Sequence, residues 1–142
     1  MAMERPRPQS SNVVKIPCKN LQSLLKLWLK FLKPYHKLSE CELLVASLFL
    51  SSRIKLMDTI KDAELLDSVV LSIENKIKIR EEAGIPASSF RVICTRLKQK
   101  GFIVDKKINP RFVPSIKNGD KTTSLLILMD IVDEKRDSQE SC

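Results

Sequence analysis

The sequence predicts a mainly α-helical domain that closes with a small β-hairpin, an α+β fold, and three observations carry this. Apolar residues recur at helical spacing in five segments between Asn20 and Lys100. Capping residues and breakers stand at the ends of those segments. After Gly101 the pattern changes to short apolar runs separated by Pro110, Pro114 and the pair Asn118-Gly119. With 142 residues and 43% hydrophobic content, the chain can build one core. Aromatic residues are only 5%, so Leu, Ile and Val must supply most of that core.

Residues 1–14 carry charges, prolines and serines with almost nothing to bury, and read as a flexible N-terminal arm. Residues 15–38 hold an amphipathic helix, NLQSLLKLWLKFL. Leu21, Leu24, Leu25, Trp28 and Leu32 form its apolar stripe, lysines line another face, and Pro34 is expected to end it. Leu29 and Phe31 widen the apolar surface beyond one core contact, and with Trp28 they are the candidate partner or dimer interface.

Ser39 with Glu42 three residues on is a capping box. The dense apolar run that follows predicts a buried central helix over 40–51. SRIKLMDTIK is ambiguous. Helices are expected at Asp62–Leu71 and Glu74–Ala83, the second with Ile77 inward and Ile79 off that face. FIVDKK reads as a short strand with a polar turn, and the two prolines restrict INPRFVPSIK to an irregular or edge strand. Asn118-Gly119 is the expected hairpin turn, TTSLLILMDIV the returning strand, and residues 133–142 a polar C-terminal tail.

The net charge of +8 is unevenly spread. Residues 1–37 and 91–121 each carry +7, whereas 38–90 and 122–142 each carry −3. Two basic blocks of this kind point to an anionic partner such as nucleic acid. Cys18, Cys41, Cys94 and Cys142 follow a start without an apolar signal-peptide region and are expected to be reduced thiols. No C-x-x-C pair occurs, and the single histidine, His36, lies outside any zinc-ligand spacing, so no metal is implied. No apolar run approaches the roughly 18–20 residues that span a bilayer. No clustered glycines and no paired carboxylates in an apolar setting suggest a phosphate cradle or a general acid and base. The expectation is a non-enzymatic, cofactor-free, cytoplasmic protein with no small-molecule ligand implied.

The most informative stretch is GIPASSFRVICTRLKQKGFI, from Gly84 to Ile103, because it holds two of only three glycines. Gly84 ends one helix and Pro86 can open the next, where its missing N–H has no intrahelical acceptor to satisfy. Phe90, Ile93, Cys94 and Leu97 form a buried stripe over helix 87–100, and Gly101 closes it.

Three helices followed by a hairpin is the order of a winged helix-turn-helix, expected here over residues 39–132. The stretch resembles the recognition-helix pattern of winged-helix regulators of the MarR type through Gly84, Ile85, Ser88, Leu97, Gly101 and Ile103. It departs from that pattern at Pro86, Phe90 and Cys94, and in the order of Arg91 and Val92. The segment LKQKGFIVDKKINPRFVPSIK is also similar to short uncharacterised proteins of tailed bacterial viruses, for which host cytoplasm or virion would be the location.

The winged-helix resemblance implies double-stranded DNA as partner, a transcriptional regulator as the simplest role, and a homodimer as a common state. Ser88, Ser89, Arg91, Val92, Thr95 and Arg96 would then face the major groove. Lys106, Lys107, Arg111, Lys117 and Lys121 would form a basic wing on the phosphates. The alternative is a structural or interaction protein, for example a viral particle component, that uses the same module to pack against protein; Val92 at an outward position favours it.

Overall fold

Ser39 starts the helix around which the rest of the chain packs. In this computed structural model, residues 14–117, 119–124 and 131 are described. The capping box forms as its sequence predicts: the Ser39 N–H donates to Glu42 Oε1 at 2.9 Å, and the Glu42 N–H donates to Ser39 Oγ at 3.4 Å. Helix α1 spans Leu21–Phe31, α2 Lys33–His36 and α3 Glu40–Leu56. The ambiguous segment after Ser51 joins α3, where Ile54 is buried. Val45, Ala46, Phe49, Leu50 and Ile54 are fully enclosed, so α3 is apolar around its circumference and behaves as a central helix.

Asn20 caps α1 by accepting the Ser23 N–H at 2.9 Å. The helix lies along α3 and places Leu25 and Leu29 in the common core. Pro34 does not simply end it. The chain breaks at Leu32, and Pro34 sits in the first turn of α2, where its missing N–H leaves no bond unmade.

Helix α4 spans Ala63–Val70 under an Asp62 cap, and α5 spans Ile73–Ala83 under a Ser72 cap. The inward face of α5 reverses the sequence expectation: Ile79 is 2% exposed and Ile77 43%. Asn75 explains the rotation. Its amide donates to the Val70 carbonyl at 2.7 Å and accepts from the Ser52 hydroxyl at 3.2 Å, which turns Asn75 toward α3. Ile79, one helical turn on, then falls inward too.

Helix α6 spans Ala87–Gln99. Strands β1, Ile103–Val104, and β2, Lys107–Ile108, form an antiparallel hairpin with Ile103 opposite Ile108. Its two-residue turn is Asp105-Lys106, both residues at positive φ, 53° and 61°. The described hairpin therefore falls in the FIVDKK segment. Gly119 has the positive φ expected of it, 95°, but Asn118 and most of TTSLLILMDIV lie outside the described residues. After Ile108, the last residue of β2, INPRFVPSIK takes the irregular of its two expected forms. Asn109 Oδ1 accepts the Arg111 N–H and starts a 3-10 turn, Pro110–Phe112.

Leucine, isoleucine and valine dominate the core, as the aromatic-poor composition requires. Four of the five phenylalanines are buried among them. Phe49 meets Phe90 at 6.5 Å between ring centroids, and Phe102 stacks on Phe112 at 6.0 Å.

Candidate nucleic-acid interface

Helix α6 divides as its spacing predicts. Phe90, Ile93, Cys94 and Leu97 are buried, while Ser88, Ser89, Arg91, Val92, Thr95 and Arg96 are exposed. Gly84 precedes it with φ 70°, closing α5 by donating its N–H to Arg80 and Glu81 carbonyls. Pro86 is the N-cap of α6 and offers no side-chain acceptor. The first N–H to find a helical partner is that of Phe90, bonded to the Pro86 carbonyl at 2.9 Å. The N–H groups of Ala87, Ser88 and Ser89 have no acceptor among the described residues and stand at exposed positions, with the positive end of the helix dipole behind them.

The side chains on this face are not equivalent. Arg91 has no ion-pair partner among the described residues. The Thr95 hydroxyl donates back to the Arg91 carbonyl at 3.1 Å. Val92 is 51% exposed in the middle of the face. Arg96 is engaged, with Nη1 3.5 Å from Glu42 Oε2.

Glu42 is the hub behind the helix. Its carboxylate is buried and meets Lys100 Nζ at 2.6 Å, and the same ammonium donates to the Lys37 carbonyl at 2.9 Å. Lys37 presents that carbonyl from a left-handed backbone, φ 54°. Burial pushes the Glu42 carboxyl up, but the Lys100 bond, the Ser39 N–H and Arg96 together outweigh burial and hold it below its usual range. The capping box was legible in the sequence. This ion pair was not, because Glu42 and Lys100 are 58 positions apart.

The basic residues expected on one wing are dispersed. Lys106 and Lys107 stand on the hairpin and are exposed. Arg111 instead lies over the Tyr35 ring of α2, 5.3 Å from its centroid, and 5.7 Å from that of Phe112. Lys117 and Lys121 are exposed in the irregular segment that follows, where the Lys117 N–H bonds Asp120. Two of the five therefore belong to the hairpin, because the chain turns at Asp105-Lys106 and then folds back toward α1 and α2.

The residues proposed as a partner interface mostly serve this fold-back. The Trp28 indole N–H donates to the Phe112 carbonyl at 2.9 Å. Leu29 is fully buried, so it has no surface to give a partner; Phe31 remains 45% exposed. His36, unassigned from sequence, completes the joint. Its Nε2 bonds the Leu29 carbonyl at 2.7 Å, Nδ1 accepts the Leu38 N–H at 2.9 Å, and its ring meets Phe112 edge-on at 5.7 Å.

Cys94 packs as a small hydrophobe: burial pushes its thiol up, against a smaller opposing pull from Lys76 and Lys98. Among the described residues no group of His, Cys, Asp and Glu could hold a metal ion, and no helix is long and apolar enough to cross a membrane. No family model, curated protein or solved structure matches the chain.

Proposed function

We propose that this protein binds double-stranded DNA as a winged helix-turn-helix, most simply as a transcriptional regulator. Helices α5 and α6 are the helix-turn-helix, α6 enters the major groove, and the Asp105-Lys106 hairpin is the wing. The observation that carries this reading is the exposed face of α6, where open N–H groups, Ser88, Ser89 and the unpaired Arg91 sit together. Open amides and hydroxyls suit phosphate oxygens, and a free guanidinium suits guanine or phosphate. The +7 carried by residues 91–121 supplies the long-range attraction.

The test is fluorescence anisotropy of a labelled random-sequence duplex at several salt concentrations. Binding in the micromolar range is expected. If about 5–8 phosphates are neutralised, log K falls against log salt with a slope of about −4 to −7. Absence of binding at low salt would overturn the reading.

A second reading, a module that packs against protein in an assembly, is favoured by one feature. Val92, 51% exposed at the centre of the α6 face, is a poor choice for reading bases and a good one for an apolar contact. Replacing Arg91 and Arg96 with Ala discriminates the two, since it removes DNA binding under the first reading and spares assembly under the second.

A further inference from the structure

A groove of about 570 Å³ opens between α4, α5, α6 and the hairpin. Three lysines line it from three separate elements: Lys76 from α5, Lys98 from the last turn of α6, and Lys106 from the hairpin turn. None of the three has an ion-pair partner among the described residues. Unpaired like charges repel, and three of them around one concavity leave a local field that an anion relieves. Leu71 and Ile103 give the groove apolar walls. Ser68 adds a hydroxyl, and Asp105 a carboxylate beside Lys106.

We propose that this groove binds a small phosphorylated ligand of about nucleotide size, its phosphates held by Lys76, Lys98 and Lys106 and its body resting on Leu71 and Ile103. The volume lies within the range of about 300–1,000 Å³ typical of small-molecule sites. Three point charges on flexible stems, without an arginine fork, suit the dispersed oxygens of one or more phosphates better than a single planar carboxylate. The lining charge is +2, three lysines against Asp105, which matches a ligand of at least two negative charges. Asp105 offers an acceptor to a ligand hydroxyl or amine, so inorganic phosphate alone satisfies only part of the site.

This site does not rest on the DNA reading, but it shares Lys106 with the proposed wing, and a duplex backbone carries the same phosphate chemistry. The experiment uses the full chain, ATP and inorganic pyrophosphate as separate probes, and isothermal titration without divalent cations. One-site binding of ATP with a Kd below about 1 mM is expected, with pyrophosphate weaker. The double variant K76M/K98M keeps both side-chain stems and should weaken ATP by about tenfold or more, while K15M/K30M, equal in charge and outside the groove lining, should not. K106N guards against a folding artefact, because Asn tolerates the left-handed turn while removing the ammonium; it should also weaken ATP. The proposal is overturned if ATP shows no saturable binding, or if K15M/K30M weakens it as much as K76M/K98M does. It is also overturned if K76M/K98M loses only duplex binding, which would assign the groove to the DNA backbone and leave the DNA reading standing.

Discussion

Lys100, at the C-cap of α6, places its ammonium 2.6 Å from the buried carboxylate of Glu42, in the first turn of α3. One carboxylate thereby caps the central helix through Ser39 and fixes the far end of the exposed helix. Glu42 is 2% exposed and the Lys100 side chain 32%, so the pair is shielded from solvent mainly on the acid's side.

Removing the cation should therefore be worse than removing both charges. Lys100→Met leaves Glu42 buried with the Ser39 N–H and the longer Arg96 contact but without its closest cation, and should cost about 3 kcal/mol, the low end for a buried charge that loses its partner. Adding Glu42→Gln should recover part of that loss. Urea unfolding of the two single variants and the double variant measures the coupling. The acid limb carries the same signature. The folded Glu42 carboxyl lies below its unfolded value of 4.5, so its stabilisation is complete above that pH and disappears as pH falls through the folded value.

His36 should add a second acid-side loss, closer to neutrality. Burial holds its imidazole below the ordinary 6.5, with smaller depressing effects from Lys33 and Lys100 and an opposing one from the Leu29 carbonyl. The neutral ring is the one that accepts the Leu38 N–H at Nδ1, and a proton there breaks that bond. Because the unfolded chain takes the proton first, stability should be full above about pH 6.5 and fall as pH drops below it. His36→Gln keeps a donor and an acceptor but does not titrate near neutrality. Its melting temperature should be lower at pH 7.5, and it should change less than wild type between pH 7.5 and 5.5. An unchanged pH response would show that His36 is not the group responsible.

What was legible in the sequence follows from the range of the forces involved. Gly84, Ser39 with Glu42, and the Phe90–Leu97 stripe act over one or two helical turns, and each appears where its spacing put it. The face of α5 departs from its apolar periodicity because Asn75 outranks Ile77: two hydrogen bonds to Val70 and Ser52 set the helix rotation, and periodicity counts only apolar residues. The polar turn expected in FIVDKK closes the described hairpin at Asp105-Lys106 without glycine, since Asp tolerates the left-handed region and the Ile103–Ile108 pairing fixes the second position; the Asn118-Gly119 turn lies partly outside the described residues. Contacts such as Trp28 to Phe112, 84 positions apart, leave no periodic trace at all.

Gly84→Ala isolates a purely torsional cost. A Cβ built at Gly84 meets nothing within 4 Å, so packing is not disturbed. The backbone is nevertheless at φ 70°, where an L side chain crowds its own carbonyl, and the variant should lose about 1–2 kcal/mol by thermal or urea unfolding. Leu29→Ala provides the contrast: its side chain is fully enclosed, and the cavity left behind should cost about 2–5 kcal/mol. A Leu29 variant that keeps wild-type stability but changes oligomeric state would restore the interface role that burial denies it.

The two arginines of α6 should separate in DNA binding, because among the described residues Arg91 has no ion-pair partner and Arg96 is braced by Glu42. Arg96 already lies 3.5 Å from Glu42, and a phosphate or base must compete with that carboxylate for it. Arg91 has no such rival among the described residues. Under the proposed DNA reading, Arg91→Ala should weaken duplex binding by about 1–3 kcal/mol if it reads a base, or reduce the salt slope by about one if it contacts phosphate. Arg96→Ala should weaken binding less, and cost little stability because Lys100 remains on Glu42. Anisotropy titrations of both variants at two salt concentrations measure the difference. A larger loss from Arg96→Ala would mean that DNA draws Arg96 away from Glu42, making the ion pair a latch that opens on binding.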